Sequence, residues 1–425
     1  MTATDVHRAI EAVWRIEAAR LIASLARLTR DVGVAEELAQ DALVAALEEW
    51  PHGGIPASPG AWLLTTARNR GIDRLRHARM SQDKEAAVAY ELEMGRGDGE
   101  GLMNAAEDDI GDDLLKLVFV ACHPVLSREA RTALTLKLVA GLTTAEIARA
   151  FLVPEPTIAQ RIVRAKRALS AAGVPFEIPR REELGERLAS VLEVVYLVFN
   201  EGYLATSGAE WTRPALCEEA LRLGRILAEL APAEAEVHGL IALMEIQASR
   251  LRARCGPTGE PVLLMDQNRA LWDQLLIHRG LLAFARGAKL GESRGPYLLQ
   301  AAIAACHARA ASPEDTDWVQ ITALYDELAR VTGSAVVELN RAVAVGMAYG
   351  PAAGLALVEA LAAREELESY HLLPSVRADL LAKLGRHAEA CREFARAAGL
   401  TRNAREQRLL SQRAEVCRVK AERVN

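Results

Sequence analysis

SREARTALTLKLVAGLTTAEIARAFLVPEPTIAQRIVRAKRAL, residues 127–169, carries the densest helix punctuation in the chain. Its first helix runs to Gly141, the residue type that enters the left-handed region at a helix end without a steric cost. Thr143, followed three residues later by Glu146, forms a capping box in which each side chain accepts from the other's backbone N–H. That box opens a short second helix with Ile147, Ala148 and Phe151 on its apolar side. Residues 152–155 break the pattern, and Pro156 stands where a new helix has no partner for an amide hydrogen. In the third helix Ile158, Ile162, Ala165 and Leu169 recur at helical spacing and face inward. Thr157, Gln160, Arg161, Arg164 and Arg167 take the opposite face. A short helix, a tight turn and a second helix with long polar donors make a helix-turn-helix. Its arginines and glutamine have the chemistry to read base edges in a major groove. The competing reading is a helical hairpin whose surface is merely basic.

Composition bounds what surrounds this stretch. A chain of 425 residues holds two to four domains, and an Ala- and Leu-rich sequence with 4% aromatics favours an all-α fold. The net charge of -6 excludes a surface coated throughout for nucleic acid, so DNA contact must come from local basic patches. The start, MTATDVHRAIEAVW, lacks the basic-then-apolar pattern of an export signal, and Glu193 interrupts the richest apolar run, residues 191–199. A cytoplasmic protein with no membrane association is expected. Cys122, Cys217, Cys255, Cys306, Cys391 and Cys417 stand far apart, as buried thiols of a reducing compartment do. Cys122 and His123 are adjacent ligand types, but before Pro124 they read as a packed helix end rather than a zinc site. With no phosphate loop, dinucleotide fingerprint or nucleophile–base pair in the sequence, no metal, cofactor, catalytic residue or enzymatic reaction is expected.

Upstream, residues 8–50 read as two helices separated near residues 31–33. In the second, Ala35, Leu38, Ala39, Ala42, Leu43, Ala46, Leu47 and Trp50 keep the helical period, and Glu36, Glu37, Gln40, Asp41 and Glu48 form an acidic outer side. Such a side is by default a solvated face. Residues 51–59 read as a loop, after which Ser58 caps a helix with Pro59 at its first position. That helix buries Leu64, Ala67, Gly71 or Ile72, and Leu75. Another stripe carries Thr66, Asn69, Arg70, Asp73, Arg74 and His77, flanked by Arg68, Arg76 and Arg79. So positive a rod suits phosphates and exposed bases, although a basic helix taken alone is also an ordinary solvated one. Residues 81–113 are acidic and Gly-punctuated, the composition of a flexible tether.

Two basic helical modules joined by an acidic tether resemble an extracytoplasmic-function (ECF) sigma factor of the sigma-70 family. AEELAQDALVAALEEW, residues 35–50, resembles the helix of sigma region 2 that grips core RNA polymerase. SPGAWLLTTARNRGIDRLRH, residues 58–77, resembles the part of region 2 that melts and reads the -10 element, and the helix-turn-helix resembles region 4, which reads -35. The resemblance implies region 2 over residues 1–80, a linker over 81–113 and region 4 over 114–173. It places polymerase contacts at Glu36, Glu37, Gln40 and Asp41, and -10 contacts at Trp62, Asn69, Arg70, Asp73, Arg74, Arg76 and His77. The -35 contacts fall on Thr157, Gln160, Arg161, Arg164 and Arg167. Core RNA polymerase and promoter DNA are the implied partners. The acidic linker falls where the family threads a chain through polymerase channels built to hold nucleic acid.

ECF factors normally stop soon after region 4, whereas this chain continues as residues 174–425, resembling the subset with a C-terminal tetratricopeptide-like extension. Gly385, Ala390, Phe394 and Ala397 have the spacing of one such unit, and Gly350, Leu355 and Glu359 stand at corresponding offsets 35 residues earlier. Stacked helix pairs offer a concave surface for a protein or peptide partner, through which the extension would gate promoter recognition. Two stretches interrupt the helical pattern. They place Asn200, Glu201, Tyr203, Asp266, Asn268 and Trp272 as a candidate pocket, with caps and interhelical hydrogen bonds as the competing account. Two other functions remain open: a helix-turn-helix regulator that is no sigma subunit, and a DNA-targeted enzyme with its site in the C-terminal half.

Overall fold

The computed structural model describes the chain apart from residues 1–2, 80–105, 152, 205–211, 258, 292–293, 363, 365–366, 369 and 423–425, together with some side chains, those of 72–79 and 106–112 among them. The described residues are helical, with one isolated bridge between Cys255 and Pro261. The chain divides into two compact units, Met1–Val195 and Tyr196–Asn425.

The first unit opens with α1 (Ala3–Thr29), α2 (Val32–Gly53) and α3 (Pro59–Arg79). Asp31 separates α1 from α2 as an N-cap, its carboxylate accepting from Gly33 N at 2.7 Å and Val34 N at 3.0 Å. The stripe of Ala35, Leu38, Ala39, Ala42, Ala46 and Trp50 is buried as its period requires, while Leu47 is exposed. Helix α2 runs on through Pro51 and ends only where Gly54 turns to φ 85. The loop therefore starts later than the sequence suggests, because a proline near the helix end removes one hydrogen bond without breaking the last turn. In α3 the fully buried partner of Ala67 is Leu63, one turn before it, while Leu64 is half-buried. Ile72 and Leu75 have side chains outside the described residues.

Helix α4 (Ala106–Ala121) begins inside the expected acidic tether. Asp113, read as the tether's end, is buried and pairs with Arg27 Nε at 3.2 Å and Lys116 Nζ at 3.0 Å. Two cations, Arg27 of α1 and Lys116 one turn along α4, hold this carboxylate in the interior of the first unit, so residue 113 is not tether; residues 81–105 of the tether lie outside the described residues. Next come α5 (Arg128–Leu138), α6 (Thr144–Phe151), α7 (Glu155–Ala171) and α8 (Arg181–Tyr203). Ser190 donates to Cys122 O at 2.6 Å and Arg187 to Phe119 O at 2.9 Å. Glu193 pairs with both Arg128 and Arg131. Those contacts tie residues 187–193 to the helix-turn-helix, past residue 173.

The second unit continues α8 and adds α9 (Pro214–Leu230), α10 (Ala235–Ala248), α11 (Gln274–Leu290), α12 (Pro296–Arg309) and α13 (Trp318–Thr332). It closes with α14 (Ala335–Tyr349), α15 (Pro351–Leu361), α16 (Leu372–Lys383), α17 (His387–Leu400) and α18 (Ala404–Glu422). Ala390, Phe394 and Ala397 are buried in one cluster with Leu339, Val358 and Leu381. Between α14 and α15 the backbones approach so closely that a Cβ at Gly354 would lie 2.7 Å from Ala342 O and 2.8 Å from Gly346 Cα. Small residues at such positions let stacked helix pairs touch.

Candidate nucleic-acid interface

The helix-turn-helix assembles by local rules before any tertiary contact is needed. Gly141 has φ 71, and Leu142 N reaches back past it to donate to Leu136 O at 3.0 Å, closing the helix end. Thr143 N then donates to Glu146 Oε2 at 2.8 Å while Glu146 N donates to Thr143 Oγ1 at 3.2 Å, closing the capping box from both sides. Pro156 sits in the first turn of α7. Ile158, Ile162, Ala165 and Leu169 are all buried, which fixes the rotation of α7 about its axis.

That rotation leaves Gln160, Arg164 and Arg167 exposed and Thr157 and Arg161 half-buried on the outer side. Arg161 lies near Glu129, whose carboxyl is held below its ordinary range, first by its own backbone N–H and the Ser127 hydroxyl, with a smaller pull from Arg161. The exposed face thus presents amide and guanidinium donors free to meet phosphate or base edges.

On α3, Asn69 is exposed, whereas Arg70 Nη1 donates to the Asp41 carbonyl at 2.7 Å and so braces α3 against α2. Trp62 packs edge-to-face on Trp50 with ring centroids 5.3 Å apart. The side chains of Asp73, Arg74, Arg76 and His77 lie outside the described residues.

The acidic side of α2 divides into two parts. Glu37 and Gln40 are exposed and Asp41 is half-buried. Glu36 does not share that outer face: its side chain is 4% exposed and meets Lys166 of α7, with Lys137 of α5 at 3.8 Å. Gln40 donates to Glu36 Oε1, the oxygen that faces Lys137, at 2.7 Å. Glu36 therefore does not lie on the exposed acidic side expected of it. A buried carboxylate needs counter-charges, and the helix-turn-helix supplies two.

In the second unit the candidate pocket residues separate into groups. Glu201 pairs with Arg213, and Asn200 hydrogen-bonds the Tyr196 hydroxyl, whose pKa burial pushes up to about 12. Asp266 and Asn268 are exposed, and Asn268 caps a 3-10 turn through Ala270 N at 3.0 Å. Tyr203 and Trp272 do come together, with the Arg250 guanidinium 5.8 Å from one ring centroid and 5.7 Å from the other. Arg254 stacks on Tyr203 at 3.8 Å and Arg269 on Trp272 at 4.8 Å. Sequence reasoning missed these arginines. The signal available was Arg250, Arg252 and Arg254 alternating directly after an apolar helix.

Among the described residues no group of three or more His, Cys, Asp or Glu side chains is placed to hold a metal. No described helix is long and apolar enough to cross a membrane.

Comparison with known proteins finds three matches along the chain. Residues 15–80 match the family Sigma-70 region 2, residues 116–169 match Sigma-70, region 4, and residues 187–288 match a family of unknown function, DUF6596. An uncharacterized protein of Rhizobium meliloti (strain 1021), R00370, is 46% identical over 386 residues, 90% of each chain. The ECF RNA polymerase sigma factor SigL of Mycobacterium tuberculosis (strain ATCC 25618 / H37Rv) is 32% identical over 34% of this chain and 76% of its own length. SigK, an ECF RNA polymerase sigma factor of Mycobacterium ulcerans (strain Agy99), is 28% identical over 35% of this chain and 78% of its own. No solved structure matches.

Proposed function

Because the chain belongs to the sigma-70 family, in its ECF class, we propose that it joins core RNA polymerase in the cytoplasm and directs it to promoters with paired -10 and -35 elements. It acts by binding and strand capture, with no cofactor, and leaves the nucleotide chemistry to the polymerase. Thr157, Gln160, Arg161, Arg164 and Arg167 read -35. Trp62, Asn69, Arg70, Asp73, Arg74, Arg76 and His77 engage -10, Arg70 through the nitrogens its brace to Asp41 leaves over. Glu37, Gln40 and Asp41 dock on the polymerase, and the acidic linker from residue 81 onward occupies its nucleic-acid channel until RNA displaces it. The observation that carries the reading is the burial of Ile158, Ile162, Ala165 and Leu169, which turns the donors of α7 outward behind the capped helix α6.

The Glu36–Lys166 contact adds a condition to this function. Elements centred near -35 and -10 lie about 25 base pairs apart, roughly 85 Å along a duplex. A chain whose -35 helix touches its region 2 cannot span that distance, so the two modules part on polymerase. The C-terminal helical unit gates this step by binding a protein or peptide partner.

In vitro transcription with core polymerase on the promoter of this chain's own gene tests the proposal. Wild type should yield promoter-dependent transcripts, and the Glu37→Lys, Asp41→Lys double variant should lose polymerase binding with its helix content intact. A helix-turn-helix regulator would instead bind promoter DNA alone and ignore both substitutions; that result overturns the proposal. Truncation after Gly173 tests gating only with a control, since it also removes Arg187, Ser190 and Glu193 from the helix-turn-helix. A triple-alanine variant at those positions must transcribe like wild type before a changed output reports on the second unit.

A further inference from the structure

Arg250 is an anomaly of charge. It is 9% exposed, and its Nε is buried without a hydrogen-bond partner. Among the described residues no carboxylate pairs with it. Its recorded contacts are the faces of Tyr203 and Trp272, each close to 6 Å from ring centroid to guanidinium, the outer limit at which a ring attracts a cation. Buried arginines are normally paired, because rings at that distance do not replace a lost hydration shell.

Its surroundings are rich in the same kind of group. Trp272 is 4% exposed, and its Nε1–H is buried with no acceptor. His307 Nδ1 is likewise buried and unpartnered. Burial, then Arg250 and Arg269, push the His307 pKa down to about 4, with no carboxylate acting in the opposite direction. Arg269 differs, since it is held by the His307 carbonyl at 2.8 Å and the Ala310 carbonyl and senses Glu314 and Asp315. Arg250 Nε and Trp272 Nε1 are therefore buried donors with no acceptor, and the His307 ring nitrogen beside them is unpartnered as well.

We propose that Arg250, Trp272 and His307 form an oxyanion site in the C-terminal unit, one that receives a phosphate or carboxylate group of a small ligand. The planar guanidinium offers two N–H groups side by side, the geometry that either oxyanion accepts. Tyr203 and Trp272 flank the guanidinium, and Arg254 and Arg269 stacked on those rings raise the local positive potential. The proposal stands apart from the transcription reading, because it concerns ligand binding by the purified chain.

Thermal unfolding of the full chain is measured against inorganic phosphate and, separately, acetate, with ionic strength held constant by chloride. A site of this kind raises the wild-type Tm in proportion to the logarithm of anion concentration once the ligand exceeds its Kd, and the anion that does so identifies the source. Arg250→Met should remove that rise. In buffer without either anion the same variant should melt at or above the wild-type temperature, because it deletes a buried charge that nothing balances. Arg250→Gln, which keeps polarity and loses charge, should behave likewise. Three results overturn the proposal: a wild-type Tm flat in both anions, a rise that survives in Arg250→Met, or a large fall in Tm for both variants in anion-free buffer. The last would mark Arg250 as a structural brace.

Discussion

Replacing Glu36 by Gln removes one charge that joins α2 to the helix-turn-helix, separately from the Arg27–Asp113 pair. The amide keeps the side chain's volume and can still accept from Gln40, so the loss is confined to the two lysines. The ion pair with Lys166, buried on the carboxylate side, falls between the ~1 kcal/mol of an exposed pair and the about 3–5 kcal/mol of breaking a fully buried one, and the looser pair with Lys137 adds at most ~1 kcal/mol. Stranding a buried charge would raise the loss to about 3–5 kcal/mol. Here, however, the lysine side chains are 21% and 20% exposed and can swing their ammonium groups into water, which returns part of it. The expected loss is about 2 kcal/mol. With a urea m-value of about 2 kcal/mol/M, the midpoint of the first unit's transition should fall by about 1 M with m unchanged. Lys166→Met in a double-mutant cycle should recover most of the difference as coupling. An unaltered midpoint, or a cycle with no coupling, would refute the claim that Glu36 joins the modules and return it to the solvated face.

Three further outcomes are expected. Thr143→Ala removes one half of the capping box and should cost about 1 kcal/mol of stability, read by urea unfolding, together with weaker -35 binding as α6 frays. Arg164→Ala leaves the buried side of α7 untouched, so it should keep wild-type stability while losing about 1–3 kcal/mol of promoter affinity, measured by electrophoretic shift of the polymerase complex. His307 is held neutral, its pKa lowered from 6.5 to about 4 by burial and then by Arg250 and Arg269. The unfolded chain therefore binds a proton that the folded chain refuses, and this contribution is intact above pH 6.5, falls as the pH drops, and is gone below 4. It amounts to about 3 kcal/mol at 1.36 kcal/mol per pH unit. The difference in unfolding free energy between wild type and His307→Gln should follow that curve, and a pH-independent difference would contradict it.

What the sequence made legible is what neighbouring residues decide among themselves. The Gly141 helix end, the Thr143–Glu146 box and the four buried positions of α7 are local, and each forms as its spacing requires. The errors arise where a distant element intervenes. Asp113 has the composition of a tether, yet Arg27, 86 positions before it, supplies the charge that lets it enter a core. Glu36 sits beside Glu37 in the sequence, but one helical step of 100° turns it from solvent to the lysines of α5 and α7. Arg250, Trp272 and His307 come from three separate segments, and no periodicity links them.

The same distinction explains why acidic residues on α2 differ in purpose despite looking alike. A carboxylate that must meet a partner protein has to remain solvated until it does, which suits Glu37 and Asp41. One that is already buried against cations has its free energy committed to the contact it makes, and releasing it requires another anion or another cation to take over. Promoter DNA supplies such an anion. Lys166 lies on the helix whose other face carries Gln160 and Arg164, so a phosphate drawn to that helix competes with Glu36 for the lysine. On the proposed reading, opening of the modules breaks the Glu36 pair with Lys166 together with the Asp113 pair with Arg27. Added salt should shift that balance less than it shifts the exposed contacts, because the Glu36 pair is sheltered from the ion atmosphere.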